Sequence, residues 1–295
     1  GRTFLFGGVP PVARVAAELD FFDAVFSDET PLSAVEAYLS GRTQTQKTGR
    51  PPQTLVERIR WRQPWPIIRH HFGQPTLEAT IEGIKKLAEA GVLDVISIGP
   101  DQNTQQFFFK PEEMDPAQDG AGGVPIRSET DFRRLYEASR RGNYPLMRCY
   151  SGTEDLLRMA KVLKETINNA WCAVPLYWYS VLDGRSRRDL RTTIRTAQEM
   201  LRWHAQQGIP VEMNEAHHWS LRDAHDTIAV AMTYLTAYNA KRCGVRHYVV
   251  QMMFNTPRGT SFRMDLAKML AYLELAGELE DKDFQIIRET RAGLF

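Results

Sequence analysis

From residue 64 onward, short apolar runs alternate with longer segments whose apolar residues recur every three or four positions. This alternation constrains the fold more than any other feature of the sequence. Runs reading as strands lie at 66–68, 92–98, 144–150, 170–179, 209–214 and 246–252. Between and after them, 76–90, 129–140, 153–167, 187–207, 223–242 and 261–275 read as helices. In the first of these, Leu77, Ile81, Ile84 and Leu87 share one face. Strict strand–helix alternation predicts a parallel sheet covered by helices. It supplies about six units where a closed (β/α)8 barrel needs eight. The expectation is therefore an α/β chain with a TIM-type barrel that is either incomplete or has units hidden in irregular segments. After 275 the pattern stops without an evident closing element. The stretch 99–128 is too long for a simple connection and reads as functional.

Residues 3–40 follow the same logic on a smaller scale. A strand at Phe4–Phe6 ends in Gly7-Gly8, Pro10-Pro11 opens a helix through Leu19, and Phe22–Phe26 is a second strand. Thr30-Pro31 then caps and starts a helix to about Leu39. This is the pattern of the end of a doubly wound domain. The polar stretch SGRTQTQKTGRPP at 40–52 reads as a connector. The expected organisation is thus 1–40, a linker at 41–63, and a barrel domain over 64–295.

Charge and cysteine usage exclude several classes. Lys and Arg number 37 against 36 Asp and Glu, so no basic field points to nucleic acid. The basic run Arg185–Arg195 reads as a solvated helix face. Cys149, Cys172 and Cys243 lie too far apart for a metal-ligand motif and suit a reducing compartment. No apolar run approaches the ~18 residues of a membrane span. The expectation is a cytoplasmic protein without a membrane segment.

In a parallel barrel the chemistry sits at the carboxyl ends of the strands, which selects the candidates. The first strand ends in Arg69, His70 and His71. The second ends in Asp101, Gln102, Asn103 and Gln105, and the third in Arg148, Tyr150 and Ser151. The fourth carries Tyr177 and Tyr179, the fifth Asn214, Glu215, His217 and His218, and the sixth Gln251, Asn255 and Arg258. Arg69 and Arg148 offer forked donors for a carboxylate or phosphate. Tyr177 and Tyr179, two apart, would share a strand face. Glu215, His217 and His218 suit acid–base chemistry or substrate contact rather than a metal, because no zinc-type spacing is present. Gly122-Gly123, in the long loop, would let backbone approach a ligand.

The opening segment FLFGGVPPVARVAAELDFFDAVFSDETPLSAVEAYL resembles the final third of a cobalamin-binding Rossmann-type domain, in which Gly7 and Gly8 would pack along the nucleotide tail of the corrinoid. No counterpart of that family's cobalt-ligating histidine falls within residues 1–40. Segment 64–275 resembles the barrels of adenosylcobalamin-dependent mutases. Among these are the large subunit of glutamate mutase and the lysine and ornithine aminomutases, and the resemblance runs through IIRHHFGQPTLEATIEGIKKLAEAGVLDVISI, GAGGVPIRSETDFRRL, RCYSGTEDLLRMA and GIPVEMNEAHHW.

The resemblance implies a radical isomerase, a carbon-skeleton mutase or aminomutase, acting on a small carboxylate-bearing substrate. Adenosylcobalamin would be its cofactor, and a cobalamin-binding domain or subunit and a second copy of the chain its partners. Arg69 and Arg148 would match two carboxylate-gripping arginines, with Gln105 at the place of the third, and Cys172 would fall near the family's catalytic glutamate. Tyr177 would match the tyrosine lying against pyridoxal in the aminomutases, although no lysine matches the one that binds pyridoxal phosphate. On this reading Glu215, His217 and Tyr177 are catalytic, and Arg69, Gln105, Arg148, Tyr150, Tyr179 and His218 hold substrate. Gly7, Gly8, Gly122 and Gly123 contact cofactor. A corrinoid-dependent methyltransferase and a non-catalytic barrel-fold binding protein are the alternatives.

Overall fold

The computed structural model describes residues 4–40, 49–150, 152 and 155–292. Residues 41–48, within the expected linker, lie outside these, as do Ser151 and the first two residues of the expected helix at 153–167. The chain forms two compact units, Gly1–Gly49 and Arg50–Phe295.

In the first unit, β1 (Leu5–Gly8) pairs in parallel with β2 (Ala24–Ser27), with Leu5 opposite Ala24 and Gly8 opposite Ser27. The helices α1 (Pro10–Glu18) and α2 (Leu32–Ser40) follow the two strands. Pro10 and Pro11 occupy the first turn of α1, where the missing N–H costs nothing. Ala13 and Ala16 of α1 are buried.

The second unit begins earlier than the sequence pattern suggests. Residues expected to be linker form α3 (Leu55–Arg62). Its Arg58 is fully buried, bonding to the carbonyls of Pro52 (3.0 Å) and Tyr144 (2.8 Å) and pairing with Asp94. The order then runs β3 (Arg69–Phe72), α4 (Leu77–Ala90), β4 (Val95–Ile98), α5 (Gln102–Phe107), α6 (Glu129–Ala138), β5 (Leu146–Cys149), α7 (Leu156–Ile167) and β6 (Cys172–Ala173). It continues with α8 (Leu190–Gln207), β7 (Val211–Glu212), α9 (Glu215–Ser220), α10 (Asp226–Arg242), β8 (His247–Phe254), α11 (Phe262–Gly277) and β9 (Gln285–Ala292).

Local chemistry marks the helix ends. Thr76 caps α4 through Ala79 N–H, and Gly91 in the left-handed region ends it. Ser128 and Asp131 form a reciprocal capping box on α6. Among the described residues, no helix is long and apolar enough to cross a membrane.

All strand pairings are parallel, in sheets ordered β3-β4-β5 and β6-β7-β8-β9. The two sheets are tied together by Ala170 N–H to Met147 O (2.9 Å), by Cys149 N–H to Asn169 Oδ1 (3.0 Å), and by two ion pairs, Arg148 on β5 with Glu212 on β7 (2.8 Å, buried) and Arg69 on β3 with Glu289 on β9 (2.7 Å). Between the sheets and the helices lie two large apolar clusters. One is built on α7, α8, α10 and α11 around Leu201, Met269 and Tyr272, the other on α4, α6 and α7 around Ile84, Phe132 and Leu163.

The structure departs from the expected pattern at its end. The sequence pattern stops at 275, whereas β9 pairs with β8 over eight residues, from His247–Gln285 to Phe254–Ala292.

The long stretch 99–128 is organised around one carboxylate. Asp101 is fully buried and caps α5 at Thr104 N–H (2.8 Å). It also accepts from Gly120 N–H (3.0 Å) and from both terminal nitrogens of Arg127 (3.0 and 2.6 Å). Asn103 bonds both backbone groups of Asp115. Gly123 packs so closely that a Cβ there would lie 2.0 Å from Gly99 O.

Candidate functional site

The residues following β4, β5, β6 and β7 converge on a cavity of about 210 Å³. Gln105 comes from the α5 segment after β4 and Tyr150 directly after β5. Pro175, Tyr179 and Arg185 belong to the loop after β6, and Asn214, His217 and His218 follow β7. A parallel sheet delivers successive strand ends to one side, so residues distant in sequence meet there. Its polar lining consists of amides, phenols and imidazoles with one guanidinium, and among the described residues no carboxylate belongs to it. Arg185 lies 5.4 Å from the centre of the Tyr179 ring.

The imidazoles are neutral near pH 7. Burial, together with Arg291, Arg222 and Arg69, pushes His217 down to about 4. Burial, His217 and Arg222 push His218 down to about 3. Each ring therefore has one nitrogen that donates and one that accepts. His71 reaches the cavity wall from β3. Its Nε2 lies 3.1 Å from the Tyr150 hydroxyl, the two rings are stacked, and burial with Arg69 beside it lowers its pKa to about 2.

A charged network lies in the interior. Arg148 is wholly buried, its guanidinium 4.7 Å from the ring centres of both Tyr150 and Trp171. It donates to Glu212 Oε2, which also accepts from the Trp171 indole N–H at 2.7 Å. Arg69 pairs with Glu289 of β9 at 2.7 Å. The Gln251 amide, oriented to donate to Glu212 (3.2 Å) and Asn214 (3.3 Å), accepts from Arg291 (2.6 Å).

Three guanidiniums (Arg69, Arg148, Arg291) thus face two carboxylates. Burial opposes the Glu212 charge, but Arg148 and Arg69 overcome it and hold its pKa below the ordinary range. Burial and the neighbouring Glu212 push Glu289 up to about 7. The network carries excess positive charge in either protonation state of Glu289. A second cavity, of about 760 Å³, opens between β3 and β9 beside Arg69, His71, Glu289 and Arg291.

Of the expected site residues, Gln105, Tyr150, Tyr179, His217 and His218 line the first cavity. Arg69 opens β3 at its amino end and Arg148 lies within β5, so neither stands at a carboxyl strand end, and both are engaged by glutamates. Tyr177 and Tyr179 do not share a strand face. β6 ends at Ala173, because Glu215 captures the chain: one of its oxygens accepts from the backbone N–H groups of Leu176 and Tyr177. Beyond that point Tyr179 takes a left-handed conformation (φ 60°).

Glu215 itself is fully buried behind the wall, and burial pushes its pKa up to about 7. Its position makes it a latch between the β6 loop and α9. His217 and His218 sit on α9 rather than on a continued strand, so both face the cavity. Gly122 (φ 78°) and Gly123 are required by the backbone path of the 99–128 loop itself. Gly7 and Gly8 belong to β1 of the other unit.

Four contributors do not stand out in the sequence: Glu212, Glu289, Arg291 and Arg185. Glu212 carries a signal, since a lone carboxylate inside an apolar parallel strand has to be buried and paired. Arg185 belongs to a charge run, yet it precedes α8 and turns to the cavity. Among the described residues, no group of three or more His, Cys, Asp or Glu could hold a metal ion. No model of a known protein family matches the chain, and no curated protein sequence matches it.

Proposed function

We propose that the chain is an adenosylcobalamin-dependent radical isomerase acting on a small carboxylate-bearing substrate, and that its second unit is a (β/α)8-type barrel. Among the described residues, seven parallel strands in two tied sheets, with charged side chains meeting in the interior, support the barrel reading. One observation carries the substrate class: a cavity at the strand ends lined by donors and a guanidinium, with no carboxylate among the described residues, above an interior of excess positive charge. Such a site is complementary to an anion rich in acceptors.

In this reading Arg185 pairs with the substrate carboxylate, and Gln105, Asn214 and Tyr150 fix its remaining polar groups. Neutral His217 and His218 hold or donate hydrogen bonds without adding charge. Glu215 is a positioning residue that keeps the β6 loop, and with it Tyr179, against α9. Tyr177 stands just outside the cavity, packed on the core.

The corrinoid role belongs to the first unit. A Cβ on Gly7 would meet nothing within 4 Å, whereas one on Gly8 would lie 2.9 Å from the Phe6 ring, so the open space beside β1 is at Gly7, and a nucleotide tail approaching there would be held by Gly7 with Gly8. The corrinoid, when bound, supplies a carbon-centred radical, and the barrel supplies orientation and exclusion of water. Pyridoxal phosphate has no assigned lysine and forms no part of the proposal.

Two measurements test the reading. Dicarboxylates and amino acids should quench tryptophan fluorescence saturably, and their methyl esters should not. With adenosylcobalamin present, a binding acid should give an electron paramagnetic resonance signal. Equal binding of acids and esters would remove the substrate class. Acid binding with no paramagnetic signal and no corrinoid uptake would leave the non-catalytic binding protein, and methyl transfer from methylcobalamin would favour the methyltransferase.

A further inference from the structure

The outer surfaces of α10 and α11 differ from those of the other helices around the second unit. On α8 the solvent side carries Arg191, Arg195 and Arg202. On α10, by contrast, no charge occurs between Asp226 and Lys241, and Ile228, Leu235 and Tyr238 are exposed. On α11, Phe262 (66%), Met264, Leu266 and Leu270 (57%) are exposed although Met269, Tyr272 and Ala276 already fill the core side. A helix that is apolar on both faces has a second partner.

The order of residues on the exposed face of α11 says what that partner is. Arg263, Leu266, Ala267, Leu270, Ala271 and Glu274 fall on one side of the helix. If α11 of a second copy lies antiparallel across a two-fold axis, residues whose numbers share one sum stand opposite each other. The register that sets Arg263 against Glu274 also sets Leu266 against Ala271 and Ala267 against Leu270. Each leucine then meets an alanine, which lets the helices approach closely, and each end closes with an opposite charge. All contacts occur twice. Among the described residues neither Arg263 nor Glu274 has an ion-pair partner in its own chain.

We infer that the protein forms a two-fold symmetric dimer through antiparallel α11 helices, flanked by the apolar face of α10. Sixteen residues give α11 a length of roughly 24 Å, and two adjacent helices present roughly 500 Å² in projection. That area is below the standard interface of about 800 Å² per partner, so the dimer dissociates in the micromolar range.

Sedimentation equilibrium of the full chain tests this between 1 and about 100 μM, a span set by the micromolar affinity expected. The wild type should reach twice 33.7 kDa. Arg263→Glu or Glu274→Arg alone places like charges together at both symmetry-related contacts and should weaken the dimer about tenfold. The double reversal R263E/E274R should restore it. Leu270→Arg should leave the chain monomeric with an unchanged circular dichroism spectrum. A wild type that stays monomeric at the highest concentration overturns the inference. So does a dimer that ignores L270R, or whose charge-reversed singles are not rescued by the double, because the contact then lies elsewhere or the face is covered by another part of the same chain.

Discussion

Replacing Glu212 by Gln removes the buried counter-charge of Arg148 while nearly preserving volume. The carboxylate is inaccessible, and one of its oxygens receives both the Arg148 guanidinium at 2.8 Å and the Trp171 indole at 2.7 Å. An amide accepts through one atom only and presents two N–H groups, so a donor is left facing a donor. Breaking a buried pair from one side costs about 3–5 kcal/mol. Part of this is recovered locally, because burial and Glu212 are what hold Glu289 near 7, and without Glu212 that carboxyl ionises more readily beside Arg69. The expected loss therefore falls at the lower end of that range, about 3 kcal/mol.

Urea unfolding of the second unit, followed by tryptophan fluorescence at pH 7.5, measures it. Arg148→Met should cost a similar amount, and the two changes together much less than their sum. Because the folded pKa of Glu212 is lowered, its contribution is present above the unfolded value near 4.5 and disappears as pH falls through the folded value. The gap between wild type and E212Q should close in acid. A loss under about 1 kcal/mol, or simple additivity, would refute the claim that this pair ties the two sheets.

Glu215 titrates in the opposite sense. Its folded pKa is raised to about 7, so its stabilising contribution is complete below 4.5 and lost as pH rises through 7; Glu215→Gln should abolish that decline in a pH series of melting curves. Gly123→Ala should destabilise by about 2 kcal/mol or more in thermal unfolding, since its Cβ would meet Gly99 backbone at 2.0 Å. Arg185→Gln, a change at a half-exposed side chain, should leave the melting temperature unchanged and reduce acid binding about 10- to 100-fold by fluorescence titration. Asp101→Ala should open the 99–128 loop to limited proteolysis, because five hydrogen bonds end on that carboxylate.

The long amphipathic helices are legible in the sequence because an apolar stripe repeating every three or four residues over twelve or more positions matches the helical period and cannot match a strand's period of two. The Leu77, Ile81, Ile84 and Leu87 face of α4 packs as its spacing requires. The strands are legible as elements but not in extent. β6 and β7 are two residues long, cut short where Glu215 diverts the chain after β6 and α9 begins after β7, and no propensity reports a tertiary latch of that kind. β9 escapes the pattern because Arg288, Glu289 and Arg291 give it the look of a surface segment, whereas the Glu289 side chain is only 14% exposed and is paired with Arg69. The site is half legible. The rule that strand ends carry chemistry finds Gln105, Tyr150, His217 and His218, but Glu212, Glu289 and Arg291 sit inside strands, where polarity shows its purpose only once the opposing strand is known.

The Asp101 hub has an engineering consequence. Its bonds, with those of Asn103 and Arg127, fix the root of the long loop, while Pro111, Glu112 and Glu113 at the tip are exposed and bear none of that fastening. Since Gln105 is held from the root by its own bond to Pro100 O, a foreign peptide grafted between Lys110 and Met114 should be displayed at the loop's crest without disturbing the wall of the cavity below it.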